Sequence, residues 1–239
     1  MTKVTPYNST ESKKKQVTKM FDNIAGSYDF LNHTLSLGMD NIWRKTAIKK
    51  LSINTSKILD IATGTADFAI SAAKYTNANI TGIDISQGML DIGVEKISKK
   101  GLTDRIQLQL ADSEKLPFKE NSYDGITAGF GVRNFENLNK GLSEMHRTLK
   151  PGGVVAILEP SEPTYFPLKQ FYKLYFHHIL PFIGGIISKD KNAYSYLPDS
   201  VSAFPSGNDF LIELDKVGFK ESKHIPLTFG IVSLYVAIK

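Results

Sequence analysis

The 239 residues suit one large α/β domain, or one domain carrying an inserted cap. With 41% hydrophobic and 22% charged residues there is material for a full core, and the lack of cysteine excludes disulfides and thiolate metal sites. A net charge of +5, spread over scattered lysines and arginines, is too mild for a nucleic-acid-binding protein, although it suits weak attraction to an anionic lipid surface.

Residues 1–12 read as a disordered N-terminus, with no apolar run and no cleavage site of the secretory kind. Nowhere do about 18 apolar residues run together, so no transmembrane helix is expected and the cytoplasm is the expected address. An N-terminal helical region follows over residues 13–51. Val17, Met20, Phe21 and Ile24 line one face, a break is expected at Gly26, and a second helix is expected around Trp43, Ala47 and Leu51. Lys13, Lys14 and Lys15 read as a solvated helix start.

From Lys57 the pattern alternates. Strands are expected at Lys57–Ile61, Asn79–Asp84, Ile106–Leu110, Tyr123–Ala128 and Val154–Leu158, with helices at Ala66–Lys74, Gly88–Lys99 and Leu138–Leu149. In the last helix, Leu138, Leu142, Met145 and Leu149 share a face, and Lys150-Pro151-Gly152-Gly153 stops it. Such alternation implies a doubly wound parallel sheet. Lys220–Ile225 and Ile231–Ile238 then read as a closing antiparallel hairpin, whose loop holds Pro226 and Gly230. The fold class is therefore α/β, a Rossmann-like seven-stranded, mostly parallel sheet within a single domain over residues 13–239. Residues 164–204 break the rhythm and are dense in aromatics, among them Phe171, Tyr172, Tyr175, Phe176, Phe182, Tyr194, Tyr196 and Phe204. They read as an inserted helical cap over the C-terminal edge of the sheet.

Open α/β sheets bind ligands beyond the strand C-termini, where the strand order reverses. The first such loop, Leu59-Asp60-Ile61-Ala62-Thr63-Gly64-Thr65-Ala66-Asp67, is built of small residues that allow a close backbone approach. The dinucleotide form G-x-G-x-x-G is absent, so a pyrophosphate finds no glycine cradle. The spacing resembles the acidic-x-G-x-G-x-G loop of class I methyltransferases, with Ala62 and Ala66 in place of the outer glycines. Asp60 and Gly64 are candidate cofactor-binding positions within it. The second strand ends in Asp84, 24 residues after Asp60, the interval at which an acid reaches ribose hydroxyls. The third ends Leu110-Ala111-Asp112-Ser113, where an acid can accept from the exocyclic amine of adenine. Helix capping is the plainer alternative for these acids and serines.

A narrower resemblance covers about residue 15 to the C-terminus. Met20-Phe21-Asp22-Asn23-Ile24-Ala25-Gly26-Ser27-Tyr28-Asp29, Trp43-Arg44, Ala111-Asp112-Ser113-Glu114-Lys115-Leu116-Pro117-Phe118 and Phe130-Gly131-Val132-Arg133-Asn134 resemble the menaquinone/ubiquinone biosynthesis C-methyltransferases. The resemblance implies S-adenosylmethionine as cofactor and methylation of a ring carbon of a prenylated hydroquinone, with demethylmenaquinol the expected acceptor. It also implies cofactor-binding roles for Thr63, Asp84, Asp112 and Ser113. Gly129 departs from the family, which often has serine there.

Methyl transfer to carbon requires a ring made electron-rich by loss of a hydroxyl proton. Arg133 is expected to stabilise that phenolate, since arginine keeps its charge and does not abstract protons, with a structural salt bridge holding the loop as the plainer alternative. Asn134 is expected to orient the quinol oxygen, and Tyr28 to close the pocket. The cap, through Phe171, Leu174, Tyr175, Phe176 and Ile179, is expected to cover the prenyl tail, with plain packing of a helix on the sheet the open alternative for each of these residues. Peripheral contact with a membrane surface and a homodimer are both compatible with this reading. A methyltransferase for another hydrophobic acceptor, and a non-catalytic cofactor-binding module, stay open beside it. His177 and His178 are adjacent and point apart on a helix, and His33, His146 and His224 are isolated, so no metal site is expected.

Overall fold

The structure is a computed structural model that describes residues 4–52, 54–174 and 190–239. Strands β1 (Lys57–Ile61), β2 (Asn79–Asp84), β3 (Ile106–Leu110), β4 (Tyr123–Gly129), β5 (Leu149–Pro160), β6 (Lys220–Leu227) and β7 (Val232–Ile238) form one sheet, in the order β3-β2-β1-β4-β5-β7-β6. The first five run parallel, and β7 is antiparallel to both β5 and β6. Order reverses between β1 and β4, which opens a crevice beyond their C-terminal ends.

Strands covered on both faces read as continuous apolar runs, and their alternate residues serve opposite cores. In β5, Val154, Ala156 and Leu158 face one side, where they join Trp43, Ala47 and Ile48 of α2 (Met39–Ile48) and Phe68, Ala69 and Ala72 of α3 (Asp67–Tyr75). Val155 and Ile157 face the other, with Leu142 and Met145 of α5 (Leu138–Thr148) and Phe210 and Leu214 of α8 (Asn208–Lys216). A third, smaller core lies over the ligand edge. There Val17, Met20, Ile24 and Leu31 of α1 (Lys13–Leu35) meet Met89 of α4 (Gln87–Lys99), and Ala193 and Tyr196 of α7 (Lys191–Ala203).

Three expectations need correction. The helix does not break at Gly26: α1 runs unbroken to Leu35, and the chain then turns at Leu37 and Gly38, both with positive φ. A single glycine costs a helix only about 1 kcal/mol, less than the burial of the apolar face that continues to Leu31 returns. Pro226 lies inside β6 rather than in the hairpin loop, as an edge strand tolerates. The lysines at the start of α1 are not all solvated. Lys13 Nζ donates to the carbonyls of Arg133 (3.0 Å) and Phe135 (3.1 Å), while Lys14 bridges Asp112 (2.7 Å) and Glu114 (3.2 Å). Burial, with the nearby Arg133 charge, pushes the Lys13 amine down to about 8.

Residues 4–12 carry no helix or strand, yet they are anchored: Val4 and Tyr7 pack against the third core, and the Tyr7 hydroxyl donates to Asp190. Within the expected cap, the structure describes α6 (Leu168–Leu174) and α7. Tyr175, Phe176, His177, His178, Ile179, Phe182 and the side chain of Tyr194 lie outside the described residues.

Candidate functional site

Two cavities meet at the reversal point. The first, about 620 Å³ counting its open mouth, is lined by Gly64, Asp84, Ile85, Asp112, Ser113 and Asn134, among others. The second, about 1810 Å³ counting its open mouth, is lined mainly by apolar and aromatic side chains, including Met20, Ile24, Trp43, Phe171, Tyr172 and Tyr196, with Arg133 at its wall. Phe21, Tyr28 and Phe130 line both. Phe21 and Tyr28 pack edge to face at 6.0 Å, and Phe130 does the same with Trp43 at 6.1 Å.

The first cavity owes its shape to the β1–α3 loop. Ala62 (φ +52°), Gly64 (φ +55°) and Ala66 (φ +68°) all adopt the left-handed conformation, so the two alanines hold a backbone that glycine would hold without strain. The usual cost is roughly 1–2 kcal/mol per residue. Asp84 braces the loop from β2: its carboxylate accepts from the Gly64 N–H (2.8 Å) and the Ser86 N–H (2.9 Å). Burial raises the Asp84 pKa, against the pull of these backbone donors.

Of the candidate residues, Gly64, Asp84, Asp112, Ser113, Asn134 and Tyr28 come together around the first cavity. Asp60 and Thr63 lie beneath it instead. The Thr63 and Thr127 hydroxyls each donate to the buried Asp60 carboxylate at 2.6 Å, tying the loop to β4. Burial pushes Asp60 up to about 6.

Arg133 and Asn134 sit in a single 3-10 turn after β4. The Arg133 guanidinium contacts Glu159 Oε2 (3.0 Å) and the Phe130 carbonyl through Nη1, and Ser200 Oγ (3.3 Å) through Nε. Glu159 Oε1 also accepts from the Val132 N–H at 2.6 Å, so one buried acid holds both the turn and its cation. Nη2 has no hydrogen bond among the described residues. The Asn134 amide accepts from the Tyr196 hydroxyl at 3.1 Å, and its buried Nδ2 has no partner among the described residues.

Gly129 and Gly131 flank Phe130. A Cβ on Gly129 would lie 2.8 Å from the Phe68 ring, which leaves no room for a serine there; one on Gly131 would lie 2.4 Å from the Ala62 Cβ. The alanine in the β1–α3 loop is thus matched by a glycine opposite. We expect Gly131→Ala to destabilise the fold by about 1–3 kcal/mol, and Ala62→Gly in the same chain to recover most of it. Melting curves check this, and a double variant no better than the single one would contradict the matched pair.

Sequence reasoning missed Lys14, Glu114, Glu159 and Tyr196. Glu114 is buried and accepts from the Glu136 and Asn137 N–H groups. The one legible signal was Glu159 itself, an acid closing the apolar run of β5. His33 lies near Asp40 and Asp67, but Arg44 and Lys96 already face these acids, as an ion-pair network would have it.

Residues 9–239 match the ubiE/COQ5 methyltransferase family, and the chain belongs to that family. It is 47% identical over 239 residues to a demethylmenaquinone methyltransferase of Bacteroides fragilis, covering 99% of this chain and 98% of the relative. It is 46% identical over 230 residues to a ubiquinone/menaquinone biosynthesis C-methyltransferase of Geotalea daltonii, covering 95% and 97%. Among solved structures, an S-adenosylmethionine-dependent methyltransferase of Thermotoga maritima matches with TM-score 0.66 at 18% identity, over 93% of this chain and 99% of that one. The [4+2]-cyclase SpnF matches with TM-score 0.64 at 16% identity, over 95% and 96%. A cyclase on this fold means that the architecture alone does not settle the reaction.

Proposed function

We propose that this member of the family methylates a ring carbon of a prenylated hydroquinone, demethylmenaquinol, with S-adenosylmethionine as the donor. The observation that carries the reading is the pair of cavities that share Phe21, Tyr28 and Phe130, the narrow one edged by Asp84, Asp112 and Asn134 and the wide one lined mainly by apolar and aromatic side chains. Full-length relatives at 46–47% identity bear the corresponding names.

The narrow cavity suits the cofactor. Asp84 and Asp112 offer acceptors for hydroxyl and amine protons, Gly64 admits a close backbone approach, and Asn134 Nδ2 is a buried donor lacking a partner among the described residues. When bound, S-adenosylmethionine supplies a methyl group on a sulfonium that departs as a neutral thioether. What the chain contributes is alignment and a water-poor junction. Arg133 lies on the acceptor side with Nη2 available to a phenolate oxygen, and Glu159 holds its guanidinium in place. Asn134 donates to an oxygen at the boundary, and Tyr28 closes it. Burial raises the Tyr28 pKa, so this phenol stays protonated near neutrality and serves as a wall or donor rather than a base.

Peripheral contact with a membrane surface accompanies this reading, because the acceptor's tail belongs in lipid. Leu37, Phe166, Phe171 and Phe229 are largely exposed, and Leu37 and Phe171 also line the apolar cavity. Among the described residues no helix is long and apolar enough to cross a membrane.

The test uses S-adenosylmethionine carrying a carbon-13 methyl group, with reduced demethylmenaquinone in detergent. The expected product carries the label as an aryl methyl in its carbon spectrum. A methoxy signal would replace C-methylation by O-methylation, and an unlabelled lipid would remove the quinol as acceptor.

A further inference from the structure

Helix α7 carries two hydroxyls, Tyr196 and Ser200, one turn apart on one face. They bond to consecutive residues of the 3-10 turn: Tyr196 to the Asn134 amide oxygen at 3.1 Å, and Ser200 to Arg133 Nε at 3.3 Å. Ser200 spends its own proton on the Leu197 carbonyl at 2.8 Å, which leaves its oxygen free to accept from the guanidinium. Both residues are 4% exposed, so neither bond is shared with bulk water. The next residues on α7, Ala193 and Leu197, line the wide apolar cavity together with Tyr196.

We propose that Tyr196 and Ser200 are positioning residues, through which α7 sets the Arg133–Asn134 pair for the acceptor. The inference rests on the roles given above to Arg133 on the acceptor side and to Asn134 at the boundary. The Tyr196 hydroxyl has a proton to give, and by giving it to the Asn134 oxygen it fixes the amide so that Nδ2, a donor without a partner among the described residues, stays a donor at the boundary of the two cavities. Without that bond the amide is free to rotate, and half of its orientations present an oxygen where a donor is needed. Ser200 restrains the guanidinium about its Nε, leaving Nη2 without a hydrogen bond among the described residues at the wall of the wide cavity. An apolar tail packed on Ala193, Tyr196 and Leu197 therefore presses on the element that orients the polar pair. Binding energy from the unreactive end of the acceptor is in this way converted into turnover rather than affinity.

The experiment compares Tyr196→Phe, Asn134→Ala, Ser200→Ala and the Tyr196→Phe/Asn134→Ala double variant in the full-length protein. Steady-state methyl transfer is measured, together with the Kd of S-adenosylhomocysteine and the melting temperature. Tyr196→Phe is expected to lower kcat about tenfold, as the loss of one buried hydrogen bond would, with the acceptor KM and cofactor Kd nearly unchanged. In the Asn134→Ala background the same change is expected to cost nothing further, because its effect passes through Asn134. An equal loss in both backgrounds, or no loss in either, would overturn the inference while sparing the acceptor-side reading. Unchanged turnover in Asn134→Ala would instead overturn that reading, and this inference with it. Should Tyr196→Phe melt early, Ser200→Ala carries the test: a fall in kcat at constant KM supports the inference, and unchanged kcat overturns it.

Discussion

Arg133→Ala is expected to lose on the order of 100-fold or more in turnover, and to lose stability as well. The second effect comes from Glu159. Its carboxylate is 1% exposed and 3.0 Å from the guanidinium, so removing the arginine strands a buried charge. Breaking such a pair from one side typically costs about 3–5 kcal/mol. Burial already raises the Glu159 pKa against the pull of Arg133, and without the arginine the acid will take up a proton more readily still. The sign follows: the destabilisation of Arg133→Ala is smallest in acid, where Glu159 is protonated, and grows as pH rises through its raised pKa. Glu159→Gln keeps an oxygen for the Val132 N–H and removes the charge, so Arg133→Ala/Glu159→Gln should recover most of the stability. It should not recover turnover, which needs the cation at the phenolate and falls by about 10²–10³ when such a donor is lost. Thermal melting and kcat, measured on the same preparations, separate the two effects. Turnover restored along with stability would reduce Arg133 to a structural role.

Asp84→Ala is expected to weaken binding of S-adenosylhomocysteine by about 100-fold, while leaving the acceptor KM unchanged. The carboxylate is buried and already accepts from two backbone N–H groups, so its orientation is set before any ligand arrives. Hydrogen bonds to a charged group contribute roughly 1.5–3 kcal/mol, and the upper end of that range is about 100-fold in Kd. Asp84→Asn should lose nearly as much, because one of its two ends must turn an NH2 toward a backbone N–H. Asp112→Ala is expected to lose less, about tenfold, since Asp112 is partly exposed and already shared with Lys14. Calorimetry on the three variants checks the order, and an Asp84→Ala Kd equal to that of the unaltered protein would contradict the assignment.

Why some of this was legible in the sequence and some was not has a physical basis. The strands β1, β2, β4 and β5 are buried on both faces, and their apolar runs between turn residues leave little choice of element. Asp84 and Asp112 were legible because a strand C-terminus places its following residues at the ligand edge whatever the helices do. Gly26 misled, because the break it suggests is a local preference overruled by an apolar face that continues through Leu31. Thr63 was found in the right loop, but which way its side chain points depends on the left-handed turn at Ala62, and Asp60 lies one step earlier, inside β1, where it is buried. Lys14, Glu114, Glu159 and Tyr196 were missed for a different reason. Each acts on a partner more than 20 residues away in sequence, at a distance that only the closed fold creates.

The claim at the centre is that an electron-rich ring carbon, prepared on the Arg133 side of the Tyr28–Phe130 wall, takes the methyl group. The measurement that tests it most directly is single-turnover methyl transfer from labelled S-adenosylmethionine to demethylmenaquinone, with the acceptor either reduced or oxidised. Label is expected in the lipid fraction only with the reduced form, because only the quinol can lose a hydroxyl proton and push electron density onto its ring. Equal labelling of the oxidised quinone would contradict the phenolate at Arg133, and no labelling of either form despite tight cofactor binding would contradict the quinol as acceptor.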